Sequence, residues 1–211
     1  FYSKKITNDR YITKRLLNAI TPLKLVPTNQ FGSIIGGTST SPIDIMLMIS
    51  EDAHFHNRTA WVNLLDCSEA FDSMNDPITD IILAHTGLPD KFILWTRRAT
   101  QNQKRLILTA GGISTIHKVL LVRGCSQGAP SCPPKWSITT GPIFSLSAEH
   151  GGAGYQPHGA PEPNQQVGFV DDNAISDETK TGATLTSQFA IVMEGILNIR
   201  VQGTKSVALL S

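Results

Sequence analysis

Two short apolar runs that end in carboxylates restrict this 211-residue chain more than any other feature. The first, Val62-Asn63-Leu64-Leu65, closes on Asp66, with Asp72 six residues further on. The second, Phe169-Val170, closes on the adjacent pair Asp171-Asp172 and then Asn173. The residues 61–67 suit a buried strand, and residues 167–176 suit a tight hairpin with the acid pair at its turn. Adjacent buried acids repel one another, and a divalent cation is the usual remedy. If the two strands are neighbours in one sheet, Asp66 and Asp171 can share Mg²⁺. A pair of such ions about 3.5–4 Å apart suits phosphoryl transfer. Taken singly, each feature has an ordinary explanation, because acid pairs are common in exposed turns.

The rest of the pattern reads as an α+β domain. Apolar residues recur at helical spacing over residues 11–20, and residues 30–40 form a Gly/Ser/Thr-rich loop. Ser41-Pro42-Ile43-Asp44 predicts a helix start with Ser41 as N-cap. Asp76-Pro77 opens a further helix that stops near Gly87, and residues 91–100 continue helically. Residues 105–109 and 116–122 read as two strands joined around Gly111-Gly112. A helix over residues 133–149 has to bend or break at Gly141-Pro142. Residues 150–166, rich in Gly, Pro and Gln, read as a mobile loop, and residues 186–199 as an amphipathic helix.

Composition narrows the class. Hydrophobic residues make up 40% and charged residues 17%, as in a globular protein and unlike a disordered one. The longest apolar run, Ile45-Met46-Leu47-Met48-Ile49, is far too short to span a bilayer, so no membrane partner is expected. Cys67, Cys125 and Cys132 form no C-x-x-C, which argues for reduced thiols and against a zinc site. His54 and His56 beside Glu51 and Asp52 read better as an exposed helix end than as metal ligands. The net charge of +1 conceals blocks. Residues 1–24 and 91–123 are basic, the second without a single acid, whereas residues 44–90 and 162–194 are acidic. Basic blocks favour a polyanion, but charge alone does not name nucleic acid. Starting at Phe1 with no Met, the chain reads as a piece of a longer protein.

Between the two acidic runs lies Arg123-Gly124-Cys125-Ser126-Gln127-Gly128-Ala129-Pro130, where glycines let backbone approach a ligand and Gln127 can hydrogen-bond a base. The order of these segments resembles the reverse transcriptase family, particularly the enzymes of non-LTR (LINE-type) retrotransposons. Leu65-Asp66-Cys67-Ser68-Glu69-Ala70-Phe71-Asp72 resembles L-D-x-x-x-A-F-D. Arg123-Gly124 through Gln127-Gly128, Pro130 and Pro133 resembles R-G-x-x-Q-G-x-P-x-x-P, and Phe169-Val170-Asp171-Asp172 resembles the [YF]-x-D-D box. Gln30-Phe31-Gly32-Ser33 with Ser39-Thr40 is similar to a finger motif, and Gly195-Ile196-Leu197-Asn198 with Lys205 to the segment after the D-D box.

The resemblance implies a polymerase right-hand palm with partial fingers, an antiparallel central sheet packed on helices, and no thumb. Residues 1–60 would be partial fingers, and residues 61–211 palm with a finger insertion around 91–123. It implies an RNA-directed DNA polymerase in which Asp66, Asp171 and Asp172 hold two Mg²⁺, with Mn²⁺ as a substitute. The primer 3′-hydroxyl would attack the α-phosphate of a dNTP, and Lys205 would assist pyrophosphate departure. Phe71 would be a steric gate against a ribose 2′-OH, with Gln127 and Gly128 close to the nucleotide. Arg97, Arg98, Lys104, Arg105 and Arg123 would face the phosphates of RNA template and DNA primer. Flanking polyprotein domains and a nuclear site of action would follow for a retroelement.

Departures from the family pattern carry an alternative. Ile34 and Gly37 stand where finger arginines are usual, and Lys135 sits in a helix that normally packs. A catalytically weak or inactive nucleic-acid-binding or scaffold module fits those departures. An RNA-dependent RNA polymerase is disfavoured by Phe71.

Overall fold

The computed structural model describes the chain apart from residues 1, 21, 35, 101–103, 106, 107, 114–116, 119–123, 126–128, 203–206 and 211. For residues 2–8, 99, 100, 104, 105, 108, 109, 113, 117, 118 and 207–210 it describes the backbone only. In chain order the elements are α1 (Tyr2–Ile20), α2 (Thr40–Phe55), β1 (Trp61–Ser68), α3 (Ala70–Ser73), α4 (Asp76–His85) and α5 (Asp90–Thr100). Four two-residue strands follow: β2 (Lys104–Arg105), β3 (Leu108–Thr109), β4 (Gly112–Ile113) and β5 (His117–Lys118). Then come α6 (Cys132–His150), β6 (Gln166–Phe169), β7 (Asp172–Asp177), α7 (Lys180–Ile196), β8 (Arg200–Val201) and β9 (Val207–Leu210).

The central sheet is antiparallel, with β1 in the middle. On one side β7 pairs with β1 from Trp61↔Asp177 to Asp66↔Asp172, and β6 pairs with β7 as a hairpin. On the other side β9 lies along residues 61–64, and β8 pairs with Cys67 and Ser68. An antiparallel sheet packed on helices is the expected α+β architecture. In the region expected to hold strands at 105–109 and 116–122, β2 pairs with β5 and β3 with β4, while residues 106, 107, 116 and 119–122 lie outside the described residues.

Side chains alternate across a strand, so the two faces of β1 differ. Leu65 and Cys67 join Ile175 of β7, Trp136 and Ile143 of α6, and Ala190 of α7 in the principal core. Each large apolar side chain buried there contributes about 1.5–3 kcal/mol. Leu64 stays 38% exposed, because α2 covers the opposite face only in part. The expectation of a fully buried strand is corrected accordingly: one face is core and the other is a groove wall. A second core gathers Ile12, Leu16 and Ile20, spaced four apart on α1, with Leu83, Ile93 and Ile138.

Local expectations fail at definable points. Helix α2 starts earlier than predicted, with Ser39 rather than Ser41 as its N-cap and no side-chain cap bond. Helix α6 runs through Pro142 without interruption. The segment 150–166 is pinned rather than loose: Tyr155 is wholly buried and exchanges backbone hydrogen bonds with Asn164. Helix α7 begins at Lys180, ahead of its apolar stripe, because Thr179 caps it by accepting from the Gly182 amide. Lys135 is buried to 3% exposure. It lies close enough to Asp76 to pull that carboxyl back against the upward push of burial.

Candidate active site

Antiparallel register brings the two predicted acidic runs together. Asp66 is the last residue of β1 paired with β7, and its partner is Asp172, the first residue of β7. Val170 and Asp171 form the two-residue loop between Phe169 and Asp172. Asp66 and Asp171 are half-buried, whereas Asp172 is exposed and its side chain makes no hydrogen bond among the described residues. The three acids thus stand at one end of the sheet, and Asp66 and Asp172 line a groove of about 890 Å³. Its walls are apolar, with Ile43, Met46 and Leu47 of α2 facing Val62 and Leu64 of β1 and Phe169 of β6.

The loop between the acids is strained. Val170 has φ +60°, in the left-handed region. Two-residue hairpin loops require positive φ, but glycine or asparagine usually supplies it. A β-branched residue there costs on the order of 1–3 kcal/mol and persists only where its surroundings over-determine it. They do so here. The carboxamide of Gln30, wholly buried, accepts from the Val170 amide at 3.1 Å and donates to the Val170 carbonyl at 3.2 Å. The Trp136 indole N–H donates to that same carbonyl at 2.6 Å. Residues 29–31 run along the edge of β6, with the Phe31 amide donating to Gly168 O and the Gly168 amide to Asn29 O. Gly32 is obligatory at this approach, since a Cβ there would lie 2.5 Å from the Val170 nitrogen.

Beneath the acids, Cys67 and Glu194 share a buried contact in which the thiol donates to the carboxyl at 3.6 Å. Burial, then the charges of Glu194, Asp171 and Asp66, pushes the Cys67 thiol well up. Burial pushes Glu194 up to about 7, against the pull of the Cys67 hydrogen bond. Beside them Phe71 stacks edge-on against Trp136, ring centroids 5.9 Å apart, and its carbonyl accepts from the Cys125 amide. Gly124, at φ +74°, is wedged against the backbone of Phe71 and Asp72, where no side chain fits. Gly124 and Cys125 are therefore docked onto the backbone of Phe71.

The other predicted residues are distributed unevenly. Lys205, Arg123, Gln127 and Gly128 lie outside the described residues. Lys104 and Arg105 belong to β2, described there by backbone alone. Arg98 is exposed in the last turn of α5, and Arg97 of the same turn is ion-paired with Asp80 of α4. His56 bonds Asp52 through Nδ1, and no group of three His, Cys, Asp or Glu among the described residues is placed to hold a metal. The paired acids still suit Mg²⁺ in chemistry, because this ion takes hard oxygen donors and commonly uses only one or two protein carboxylates. Sequence reasoning saw Gln30 only as part of a finger motif and did not single out the indole of Trp136. The one signal for either was a hydrogen-bonding side chain in a segment that otherwise packs.

Comparison with known proteins yields fold neighbours alone. No protein-family model and no curated protein matches the chain. Among solved structures, apo telomerase from Candida tropicalis truncated from its C-terminal domain aligns with a TM-score of 0.63 at 16% identity, covering 100% of this chain and 42% of that one. Telomerase from Candida tropicalis in complex with a TWJ fragment of telomeric RNA aligns at 0.64 and 15% identity, covering 97% and 33%. The Candida albicans enzyme with the same kind of fragment aligns at 0.51 and 11% identity, covering 99% and 34%. The chain thus has a fold similar to part of telomerase and spans well under half of each of those chains.

Proposed function

We propose that the chain is the catalytic core of an RNA-directed DNA polymerase of the reverse transcriptase type, derived from a non-LTR retroelement. The observation that carries this reading is the register pair Asp66↔Asp172, with Asp171 in the intervening loop, at one end of an antiparallel sheet. Its setting in a fold similar to telomerase, an RNA-templated polymerase related to reverse transcriptases, supports the reading further. In this reading the sheet and its helices are the palm, and residues 1–60 and about 91–123 are parts of the fingers. A thumb and other flanking domains would be supplied elsewhere in a longer protein, acting in the nucleus.

Asp66, Asp171 and Asp172 would hold Mg²⁺ or Mn²⁺ at the groove head. When bound, the ions offset the charge of the acids and of the triphosphate and favour nucleotidyl transfer. The chain's own residues then position the reactants. The groove between α2 and the sheet receives the primer end with its RNA template. Phe71, braced by Trp136, would act as the steric gate against a ribose 2′-OH. Gln127 and Gly128 would serve the nucleotide, Lys205 would donate a proton to departing pyrophosphate, and Arg98, Lys104, Arg105 and Arg123 would contact phosphates. Arg97 would have to leave Asp80 to do the same. Rate would come from orientation and electrostatics, with no covalent intermediate.

A binding or scaffold module without turnover is the second reading, favoured by Ile34 and Gly37 where finger arginines are usual and by the burial of Lys135 in α6. Incorporation of dTTP on poly(rA)/oligo(dT) with Mg²⁺ and then Mn²⁺ separates the two. The polymerase reading expects incorporation that disappears in Asp171→Ala/Asp172→Ala. Duplex binding without incorporation by either ion would hand the case to the module.

A further inference from the structure

We infer that Gln30 and Trp136 are positioning residues that hold the Val170–Asp171 loop in its acid-presenting conformation. The catalytic meaning of this inference rests on the polymerase reading above. Three hydrogen bonds converge on one residue: Val170 N–H to Gln30 Oε1, Gln30 Nε2–H to Val170 O, and Trp136 Nε1–H to Val170 O. The Gln30 carboxamide is used at both ends, because its oxygen also accepts from the Gly32 amide at 3.1 Å. Ser137, next to Trp136 on α6, donates to the Gly32 carbonyl at 3.0 Å and ties the two sources together. Val170 directly precedes Asp171, and its φ of +60° is one that valine does not hold unaided. Released to an extended conformation, it would turn the Val170–Asp171 peptide and swing Asp171 and Asp172 away from Asp66. Glutamate cannot replace Gln30, since its second oxygen would face the Val170 carbonyl. Phenylalanine at 136 would keep the ring and lose only the donor.

This makes a distinctive prediction, since a residue that adopts positive φ freely should make the clamp dispensable. The double variant Gln30→Met/Trp136→Phe is compared with wild type and with the same variant carrying Val170→Gly. Mn²⁺ affinity is read by electron paramagnetic resonance, and backbone amide exchange by NMR. The clamp variant should bind Mn²⁺ about tenfold more weakly, the loss typical when the partners of metal-holding side chains are removed. Exchange should quicken at Val170 and Asp171 but not at Leu64 or Ile175 in the sheet, and Val170→Gly should restore the affinity. Unchanged affinity, or exchange that quickens through the whole sheet without rescue by Val170→Gly, overturns the inference. If wild type binds no Mn²⁺, the polymerase reading is what fails. Exchange at Val170 then decides alone: quickening confined to the loop upholds the clamp, and no change removes it.

Discussion

The two ends of β1 hold carboxylates in opposite circumstances. At the Trp61 end, Asp177 is buried and accepts from the Gly154 amide, the Thr179 amide and the Thr179 hydroxyl, all at 2.8–2.9 Å. Nearby, Asp52 accepts from the Tyr155 hydroxyl at 2.7 Å and the His158 amide at 2.8 Å, with Arg58 beside it. Those hydrogen bonds, and then the charges of His56 and Arg58, hold the Asp52 carboxyl below its ordinary range. At the Asp66 end, the exposed side chain of Asp172 lines a groove with no hydrogen bond among the described residues, and the loop beside it is strained. Acids that hold a fold together are met by donors built into it. An acid kept exposed beside a strained and clamped loop adds nothing to the fold that a donor would show, and the cost of that loop is carried by the rest of the structure.

The contrast is broken most severely at the groove end. Asp66→Asn should lower dNTP incorporation about a thousandfold or more, the loss expected when several kcal/mol of transition-state stabilisation are removed. Asp172→Asn should do likewise, yet its free energy of unfolding in urea should stay within about 0.5 kcal/mol of wild type, as for other exposed sites. A large destabilisation by Asp172→Asn would show that the two ends are not different in kind. At the other end the order reverses. Asp177→Ala leaves the buried Gly154 amide and the partly buried Thr179 amide without their acceptor and should cost about 3 kcal/mol in urea unfolding.

Glu194 behind the acids gives the next largest effect. Its carboxyl sits at about 7 against an ordinary 4.5. The folded chain keeps that proton to higher pH than the unfolded chain, so the stability it confers is whole below about 4.5 and lost as pH rises through 7. By pH 8 the loss is on the order of 3 kcal/mol, and Glu194→Gln should recover most of it and flatten the urea midpoint across that window. A wild-type midpoint that does not fall between those pH values would refute the assignment. The smallest effect belongs to Tyr155→Phe, which removes the hydroxyl bond to Asp52 and should cost about 1 kcal/mol. Thermal denaturation suffices to measure it, with no change expected in Mn²⁺ binding.

Much of this was legible from local pattern. The strand β1, the hairpin of β6 and β7, and α4 between Asp76-Pro77 and Gly87 follow from apolar spacing, turn residues and caps, which act over a few residues. That Asp66 and the acid pair belong at strand ends was equally visible. Where local rules compete with packing they misled. Gly, Pro and Gln over residues 150–166 suggested a loose loop, yet Tyr155 and Asp177 pin that segment through bonds that span the chain.

The sequence by itself therefore determined the elements and the kinds of residue at their ends, because propensity, periodicity and capping are short-range. Tertiary structure alone decided that Asp66 faces Asp172 and that one face of β1 stays open as a groove. It also decided that Gln30, 140 residues away in sequence, holds the Val170 peptide. The physical reason is that register and long-range hydrogen bonds are selected by the packed whole. A glutamine in a loop and a tryptophan in a helix state only what they can donate and accept, not which backbone will meet them.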